Sequence, residues 1–284
     1  MPENDAADKA ARNQLLTDKI DKDVAARPGK SPLSSFPPIR TMPMLQPLRW
    51  VALGWRDLRA TGGRSLFYGV FFAGMGVLLS TVLAHAPAYL SALTCGFLLL
   101  GPFLALGLYD MSRRLEQRQS GLLPTLFSMQ GRWSNIGVLA LVLAVVMMVW
   151  ARASLIVFAL FYNRGMPSIE GFLLQLLSID NLRFIAVYFC VGALFAGLVF
   201  AISWVSIPLM LDRDTDAVTA IIISIGALLK NIPAALVWGL LIIGCTVIGF
   251  ATWYIGLIVT MPLIGHATWH AYRDVVGPAR QGSG

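Results

Sequence analysis

Long apolar runs separated by short polar segments constrain this chain more than any other feature of its sequence. A membrane-spanning helix needs about 20 predominantly apolar residues, and from Ser65 onward six runs reach that length. They cover roughly residues 65–84, 87–110, 134–162, 184–211, 233–251 and 253–274. The last two runs are continuous, and we place a tight turn between them near Ala251–Trp253. The sequence therefore predicts an all-α, polytopic transmembrane helical bundle of about six spans.

The composition agrees with a membrane protein, and the charge is unevenly placed. The chain is 57% hydrophobic and 13% charged, whereas soluble domains are about 25% charged. Half of the 22 Lys and Arg residues precede Ser65. Basic residues beside membrane spans are typical of topology signals and of contacts with anionic lipid headgroups. The net charge of +7 therefore indicates a lipid bilayer as partner and not nucleic acid.

The distribution of Lys and Arg between the loops predicts the orientation in the membrane. Basic residues are concentrated before the first span, in the 113–132 and 212–230 loops, and after the last span. Since basic loops stay on the cytoplasmic side, we expect both termini to be cytoplasmic. Residues 1–45 are predicted to be a disordered cytoplasmic tail with a Pro/Ser-rich linker, 46–276 the six-span membrane domain, and 277–284 a flexible C-terminus.

A short amphipathic segment precedes each outward-going span. In "LRWVALGWRDLRATGGR" one side carries apolar residues at helical spacing, namely Leu48, Val51, Ala52, Trp55 and Leu58. Arg49, Arg56 and Arg59 lie on another side, and we expect them to contact lipid phosphates. Residues 121–133 and 217–231 occupy the corresponding places before the third and fifth spans.

The inward-going spans also resemble one another. Each has a proline in its last third and an acidic residue at its exit; the pairs are Pro102 and Asp110, Pro208 and Asp212, and Pro262 and Asp274. These similarities predict a threefold repeated hairpin unit covering about 46–112, 121–212 and 216–276. Each unit would contain an interfacial helix, a span out and a span back that is kinked at proline.

Two histidines near the C-terminus raise the question of a metal site. His266 and His270 are one helical turn apart, about 6 Å along the axis, and Asp274 follows four residues later on the same face. These three residues could hold one metal ion. The alternative is that they are interfacial polar residues that bond headgroups or carbonyl groups at the helix end.

Haem is harder to accommodate. Two neighbouring histidines on one helix cannot ligate opposite sides of a haem, and the third histidine, His85, lies about 30 Å away at the other end of a span. Ligation by one histidine and a methionine such as Met111, Met210 or Met261 remains open. We expect no cofactor, with a metal ion or haem as the alternative.

Arg152 is the one charged residue inside an apolar run. An arginine within a span is a candidate functional residue, because its burial is costly without a partner. The alternative is that the span ends near Arg152 and that its side chain reaches the outer headgroups. The other spans carry no Asp, Glu or Lys at mid-membrane, and motifs for phosphate binding or nucleophilic catalysis are absent. Cys95, Cys190 and Cys245 lie singly in apolar runs and indicate no disulfide framework.

The amphipathic "LGWRDL", the six spans and the closing "TMPLIGHATWHAYRDVV" resemble a family of bacterial integral membrane proteins, the domain of unknown function 2189. The resemblance is expected over about residues 45–276 and implies a multi-pass protein of the bacterial inner membrane. Some members carry a cytochrome c oxidase subunit label, which implies at most an association with that enzyme. The family supplies no catalytic residues to transfer.

These observations favour a non-enzymatic inner-membrane protein that acts as an accessory, assembly or lipid-interacting factor. A catalytic haem–copper core would need more histidines than the three present. Two alternatives stay open: a metal- or haem-handling redox subunit that uses the His266/His270 face, and a passive transporter or channel for a small uncharged or lipophilic solute. Bound metal or a visible spectrum would favour the first, and solute uptake into proteoliposomes the second.

Overall fold

The computed structural model describes residues 37–85, 104–118, 133–161 and 182–277. Within these ranges the chain is helical and contains no β-strand, which confirms the all-α prediction. We number the helices in chain order as α1 Gln46–Thr61, α2 Gly63–His85, α3 104–116, α4 Trp133–Phe161, α5 Leu182–Ser203, α6 Ser206–Asp212, α7 Ala217–Lys230, α8 Ile232–Ala251 and α9 Leu257–Val276.

Four segments among the described residues are long and apolar enough to cross a membrane, which makes this an integral membrane protein with several apolar helices. They are Gly63–Val82, Ser134–Phe161, Leu182–Asp212 and Ile232–Ala251, and they match the predicted first, third, fourth and fifth spans. Most of the predicted second span, residues 86–103, lies outside the described residues. The predicted sixth span forms helix α9, which is not among those four segments. The count of six spans and the threefold repeat stay predictions.

The predicted turn after the fifth span is present. Residues 252–256 connect α8 to α9, and Trp253 and Tyr254 adopt left-handed backbone angles with φ of 54° and 66°. The Thr252 hydroxyl accepts a hydrogen bond from the Gly256 amide at 2.9 Å, so a side chain satisfies a backbone group that the helix end leaves free. α8 and α9 therefore form a helical hairpin.

The two described prolines of the inward-going segments have different effects. α5 ends and α6 begins around Trp204 and Val205, one turn before Pro208, because a proline ring collides with the carbonyl group four residues earlier. The amide of Val205 donates instead to the Ser224 hydroxyl of α7 at 3.1 Å. At Pro262 the helix α9 continues without interruption, and Pro102 lies outside the described residues.

Both described amphipathic segments form helices, but several of their large apolar side chains face away from the protein. In α1 the buried residues are Pro47, Trp50, Gly54, Asp57, Leu58 and Thr61, and Leu48, Ala52 and Trp55 are exposed. In α7, which begins at an Asp216 cap, small residues such as Ala220 and Ala227 face inward while Val218 and Ile222 are exposed. Part of each apolar side thus points outward, whereas Leu58 of α1 and Ile223 of α7 are buried. The 121–133 segment lies mostly outside the described residues.

Residues 1–36 lie outside the described residues, and the predicted domain boundaries stay predictions. Residues 39–43 at the end of the linker are held by hydrogen bonds. The amide of Arg40 donates to the Val275 carbonyl at 2.8 Å, and the amide of Met42 donates to the Asn231 side chain at 2.7 Å. This strap joins the α7–α8 junction to the end of α9.

Glycines allow α9 to approach its neighbours closely. Gly54 of α1 faces the backbone of Ala267, and Gly69 of α2 faces the Ile258 carbonyl so closely that a Cβ atom would collide with it. α9 therefore packs backbone to backbone against both helices, as small residues permit in membrane proteins.

We expect Gly69→Ala to destabilise the protein by about 1–3 kcal/mol, because a methyl group overpacks the α2–α9 contact. Unfolding in mixed detergent micelles measures the change. The matched control is Gly74→Ala in the same helix, where a Cβ atom meets nothing within 4 Å; there alanine is neutral or stabilising by up to about 1 kcal/mol. Equal effects at the two positions would contradict the packing described.

Candidate functional site

Six polar side chains meet in a buried cluster that we call the polar junction: Asp57, Thr61, Ser65, Ser112, His266 and His270. They come from four helices. α1 supplies Asp57 and Thr61, while α2, α3 and α9 supply the others. All are buried except His270, which is partly exposed. Buried polar groups must be hydrogen-bonded to offset their lost hydration, so the junction ties the four helices together.

Asp57 is the acceptor on which the junction is centred. Its Oδ2 atom accepts from the Ser112 hydroxyl at 2.9 Å and from His270 Nε2 at 2.8 Å. One carboxylate oxygen of α1 thereby holds both α3 and α9. Arg56 approaches the other oxygen, Oδ1, at 3.8 Å.

The hydrogen bonds fix the tautomer of His266. Because Ser112 donates its single proton to Asp57, its oxygen must accept from His266 Nδ1, 2.7 Å away. A neutral His266 ring is then unprotonated at Nε2. That atom lies 2.8 Å from the Ser65 hydroxyl, which therefore donates to it.

At the Ser65 end of the polar junction, Thr61 connects the hydrogen bonds to the backbone of α1. Thr61 Oγ1 lies 2.6 Å from Ser65 Oγ and 2.8 Å from the Asp57 backbone carbonyl oxygen. Because Ser65 donates its single proton to His266, the single proton of Thr61 is shared between these two acceptors. Met111 Sδ lies 3.8 Å from Ser65 Oγ. The hydrogen bonds therefore run from His270 through Asp57, Ser112, His266 and Ser65 to Thr61 and back to the α1 backbone.

The environment of Asp57 favours its ionised form. Burial of the carboxyl group opposes ionisation, but the hydrogen bond and charge of His270 and the hydrogen bond from Ser112 outweigh it. The pKa of Asp57 is therefore held below its usual value. Asp57 and His270 form an ion pair whenever His270 is protonated.

Ser65, His266 and Asp57 are the residue types of a nucleophile, a general base and an acidic orienting group. Here the hydroxyl of Ser112 lies between His266 and Asp57. A nucleophile must also be reached by its substrate. Ser65 has 0% of its surface exposed and His266 also 0%, and both ring nitrogens of His266 already have partners. In this conformation the junction holds helices together and offers no open position for a reacting atom.

A second layer of polar contacts surrounds the last turns of α9. Asp274 Oδ2 accepts from Trp50 Nε1 and Gln46 Nε2 of α1, each at 2.8 Å. Tyr272 donates to Asp212 at 2.6 Å, and Arg273 pairs with Glu116 at 2.8 Å. The indole of Trp50 also packs edge-on against that of Trp238. Asp212 and Asp274, two of the acidic residues at the helix exits, are therefore engaged by other helices.

The three residues predicted for a metal site do not all belong to the same group of contacts. His266 and His270 belong to the polar junction, whereas Asp274 contacts Trp50 and Gln46. Among the described residues no group of three or more His, Cys, Asp or Glu side chains is arranged to hold a metal ion. The metal or haem hypothesis stays a prediction.

The remaining predicted residues lie on the surface. Arg49, Arg56 and Arg59 are exposed on α1, and the guanidinium of Arg59 lies 5.0 Å from the Trp55 ring centroid. Arg152 is exposed on α4, which continues as a helix to Phe161. His85 is exposed at the end of α2, twenty residues after Ser65, or about 30 Å along the helix, which agrees with the predicted separation from His266.

Sequence analysis missed four members of the polar junction: Asp57, Thr61, Ser65 and Ser112. A signal for part of it was present. Trp50, Gly54, Asp57 and Thr61 follow one another at intervals of four, three and four residues, which places them on one side of a helix. The prediction for α1 followed instead the apolar residues at helical spacing on the neighbouring side of the helix, such as Leu48 and Trp55.

Four apolar segments of spanning length, of which α2 also contributes to the polar junction, define a polytopic α-helical integral membrane protein. Residues 90–212 match a family described as "Predicted integral membrane protein (DUF2189)", which confirms the resemblance. The match is shorter than the expected 45–276. It leaves out both the "LGWRDL" segment of α1 and the α9 sequence, and it does not bear on the oxidase label. No curated protein and no solved structure matches the chain.

We expect Asp57→Ala to lower the free energy of unfolding by about 3 kcal/mol, since it removes the acceptor of two buried hydrogen bonds and a charge partner. Unfolding in mixed detergent micelles measures it. The control is Asp214→Ala, an exposed carboxylate outside the junction, where a change within about 0.5 kcal/mol is expected. A similarly small effect at Asp57 would show that the junction does not hold the helices.

The lowered pKa of Asp57 predicts a pH dependence of stability. The stabilisation is fully present above the pKa of an unfolded aspartate, about 3.9, and is lost as the pH falls through the lower folded-state value. The difference in melting temperature between the unsubstituted protein and Asp57→Asn should therefore narrow on acidification from about pH 5.5 to about pH 3. A difference that stays constant over this range would contradict the assignment.

Proposed function

We propose that this chain is a non-enzymatic accessory or assembly protein of the bacterial inner membrane, with both termini on the cytoplasmic side. The supporting observation is that the side chains of the polar junction are engaged with one another. His266, Ser65 and Asp57, the groups best suited to chemistry, hold helices together. Among the described residues, the surface we propose for interaction with other molecules is the outside of the helices.

That outside surface is apolar along several helices. On α8 the exposed side chains recur at intervals of three and four residues and form one continuous ridge, made of Ile232, Leu236, Leu240, Ile243, Val247 and Phe250. Such a ridge suits contact with lipid chains or with a helix of another membrane protein. Other membrane-protein subunits are therefore the partners we propose, and the family label makes a respiratory oxidase one assembly to test.

The positions of the charged residues support the proposed orientation. α1, with its exposed arginines, packs against the C-terminal half of α9. The α8–α9 turn lies at the other end of these helices and exposes Trp253. Arginine-rich ends stay on the cytoplasmic side, so we place α1 and the end of α9 there and the turn on the periplasmic side.

Cysteine labelling tests the orientation. In a chain with Cys95, Cys190 and Cys245 replaced by serine, we expect Trp253→Cys to react with a membrane-impermeant maleimide on intact spheroplasts. Trp253 is 84% exposed. Arg56→Cys, at an exposed position of α1, should react only after the membrane is permeabilised. The reverse pattern would overturn the proposed orientation.

Purification of the tagged chain from its native membrane, in mild detergent and separately in polymer-bounded lipid discs, tests the accessory role. We expect another membrane protein in near-stoichiometric amount, identified by mass spectrometry and absent from a tag-only control. A chain recovered alone under both conditions would overturn this role. Oxidase subunits among the partners would support the association that the family label implies.

A further inference from the structure

The outward part of α1 forms an exposed surface that combines apolar and cationic residues. Its apolar members are Met44, Leu45, Leu48 and Trp55, and its cationic members are Arg49, Arg56 and Arg59. We call it the α1 outer surface. Leu48 is 52% and Trp55 40% exposed, which is unusual for large apolar side chains in water but ordinary beside lipid.

The packing of α1 fixes which way this surface points. A helix that rests loosely on a bilayer can rotate about its axis, whereas α1 cannot. Its opposite side is held to α9 by the Trp50–Asp274 and Asp57–His270 hydrogen bonds and by the close contact at Gly54. The α1 outer surface is therefore displayed in one orientation and pre-organised for a ligand.

The side chains on this surface are complementary to an anionic phospholipid layer. Leu48 and Trp55 are suited to the boundary between headgroups and acyl chains. The arginines lie beside them, and guanidinium groups bind phosphate oxygens with paired N–H donors. Arg59 lies over the Trp55 ring, which places a cation next to the anchoring indole.

Within α1 the α1 outer surface meets little competing negative charge. Asp57 is the only acidic residue of α1; it is buried, its Oδ2 atom is committed to Ser112 and His270, and its Oδ1 atom lies 3.8 Å from Arg56 Nε. Arg56 is therefore partly neutralised, and Arg49 and Arg59 supply most of the free positive charge. A cationic strip at an interface attracts anionic lipids, and this attraction weakens with salt.

We propose that the α1 outer surface selects anionic phospholipid headgroups, of the phosphatidylglycerol type, over zwitterionic ones in the leaflet it contacts. This proposal rests on the proposed function in one respect: it requires α1 to lie at the membrane surface. The apolar anchors set the depth of the helix, and the arginines select the headgroup.

Quenching of tryptophan fluorescence by brominated lipid tests the selection. The purified chain is placed in vesicles of phosphatidylcholine with about one fifth phosphatidylglycerol, in which the bromine is carried by one lipid class, by the other, or by both. The Trp55 signal is the difference between each protein and its Trp55→Phe counterpart. The protein with R49Q, R56Q and R59Q is compared with a control carrying R152Q and R183Q, two exposed arginines away from α1.

We expect brominated phosphatidylglycerol to quench Trp55 as if it made up about half of the neighbouring lipid and not one fifth, because one arginine near an anionic surface provides about a fivefold preference. High salt should reduce this enrichment. The triple variant should be quenched only in proportion to lipid composition, yet fully when both lipids are brominated. The control should behave as the unsubstituted protein does.

Proportional quenching of the unsubstituted protein would overturn the selection of anionic lipid. No quenching of Trp55 when all lipid is brominated would show that the α1 outer surface does not meet lipid at all, and would also overturn the proposal. Both outcomes are read from the unsubstituted protein and its Trp55→Phe counterpart, so they do not depend on the arginine variants folding. They are also independent of co-purification, so the lipid proposal and the accessory role can fail separately.

Discussion

The carboxylate of Asp57 is buried where a lone charge would be very costly, and the arrangement of the surrounding helices follows from satisfying it. A buried carboxylate needs donors on its oxygens. Ser112 and His270 supply them from α3 and α9, and this brings α1 against both helices. Ser112 in turn orients His266, which reaches Ser65 on α2. One charge on a helix that lies beside the spans thus determines the contacts of four elements.

α1 and α7 each expose large apolar side chains, such as Leu48 and Ile222. In a soluble protein the apolar stripe of an amphipathic helix faces the core. Beside a bilayer, apolar side chains are equally well accommodated by lipid, so the protein-facing side is free to carry small or polar residues that allow close approach. Gly54 and Asp57 do this on α1, and Ala220 and Ser224 on α7. Polar groups then provide the specificity that hydrophobic burial cannot supply within a membrane.

The sequence predicted those features that depend on local composition. Hydropathy located α2, α4 and α8 to within a few residues, and the turn between α8 and α9 followed from a run too long for one span. It did not predict the contact between Asp57 and His270, which are 213 residues apart, because no local pattern records a pairing at that distance. Apolar periodicity also favoured the outward side of α1, because Leu48 and Trp55 are large and apolar whereas Gly54 and Thr61 are small or polar.

The two histidines that first suggested a metal site have different surroundings. His266 lies between two hydroxyl groups, and His270 meets a carboxylate near the surface. Their spacing on one helix is a property of the sequence, but the partners that each finds come from α1, α2 and α3. A histidine pair one turn apart is therefore compatible with a metal site and with a structural junction, and only the tertiary environment separates the two.

The most direct test of the polar junction is the protonation of the two His266 ring nitrogens, measured by ¹⁵N solid-state NMR on histidine-labelled protein in lipid bilayers near neutral pH. His266→Gln assigns the signals. The junction predicts a neutral ring with the proton on Nδ1 and with Nε2 accepting a hydrogen bond. A ring protonated on Nε2 alone, or nitrogen shifts that report coordination to a metal, would contradict it.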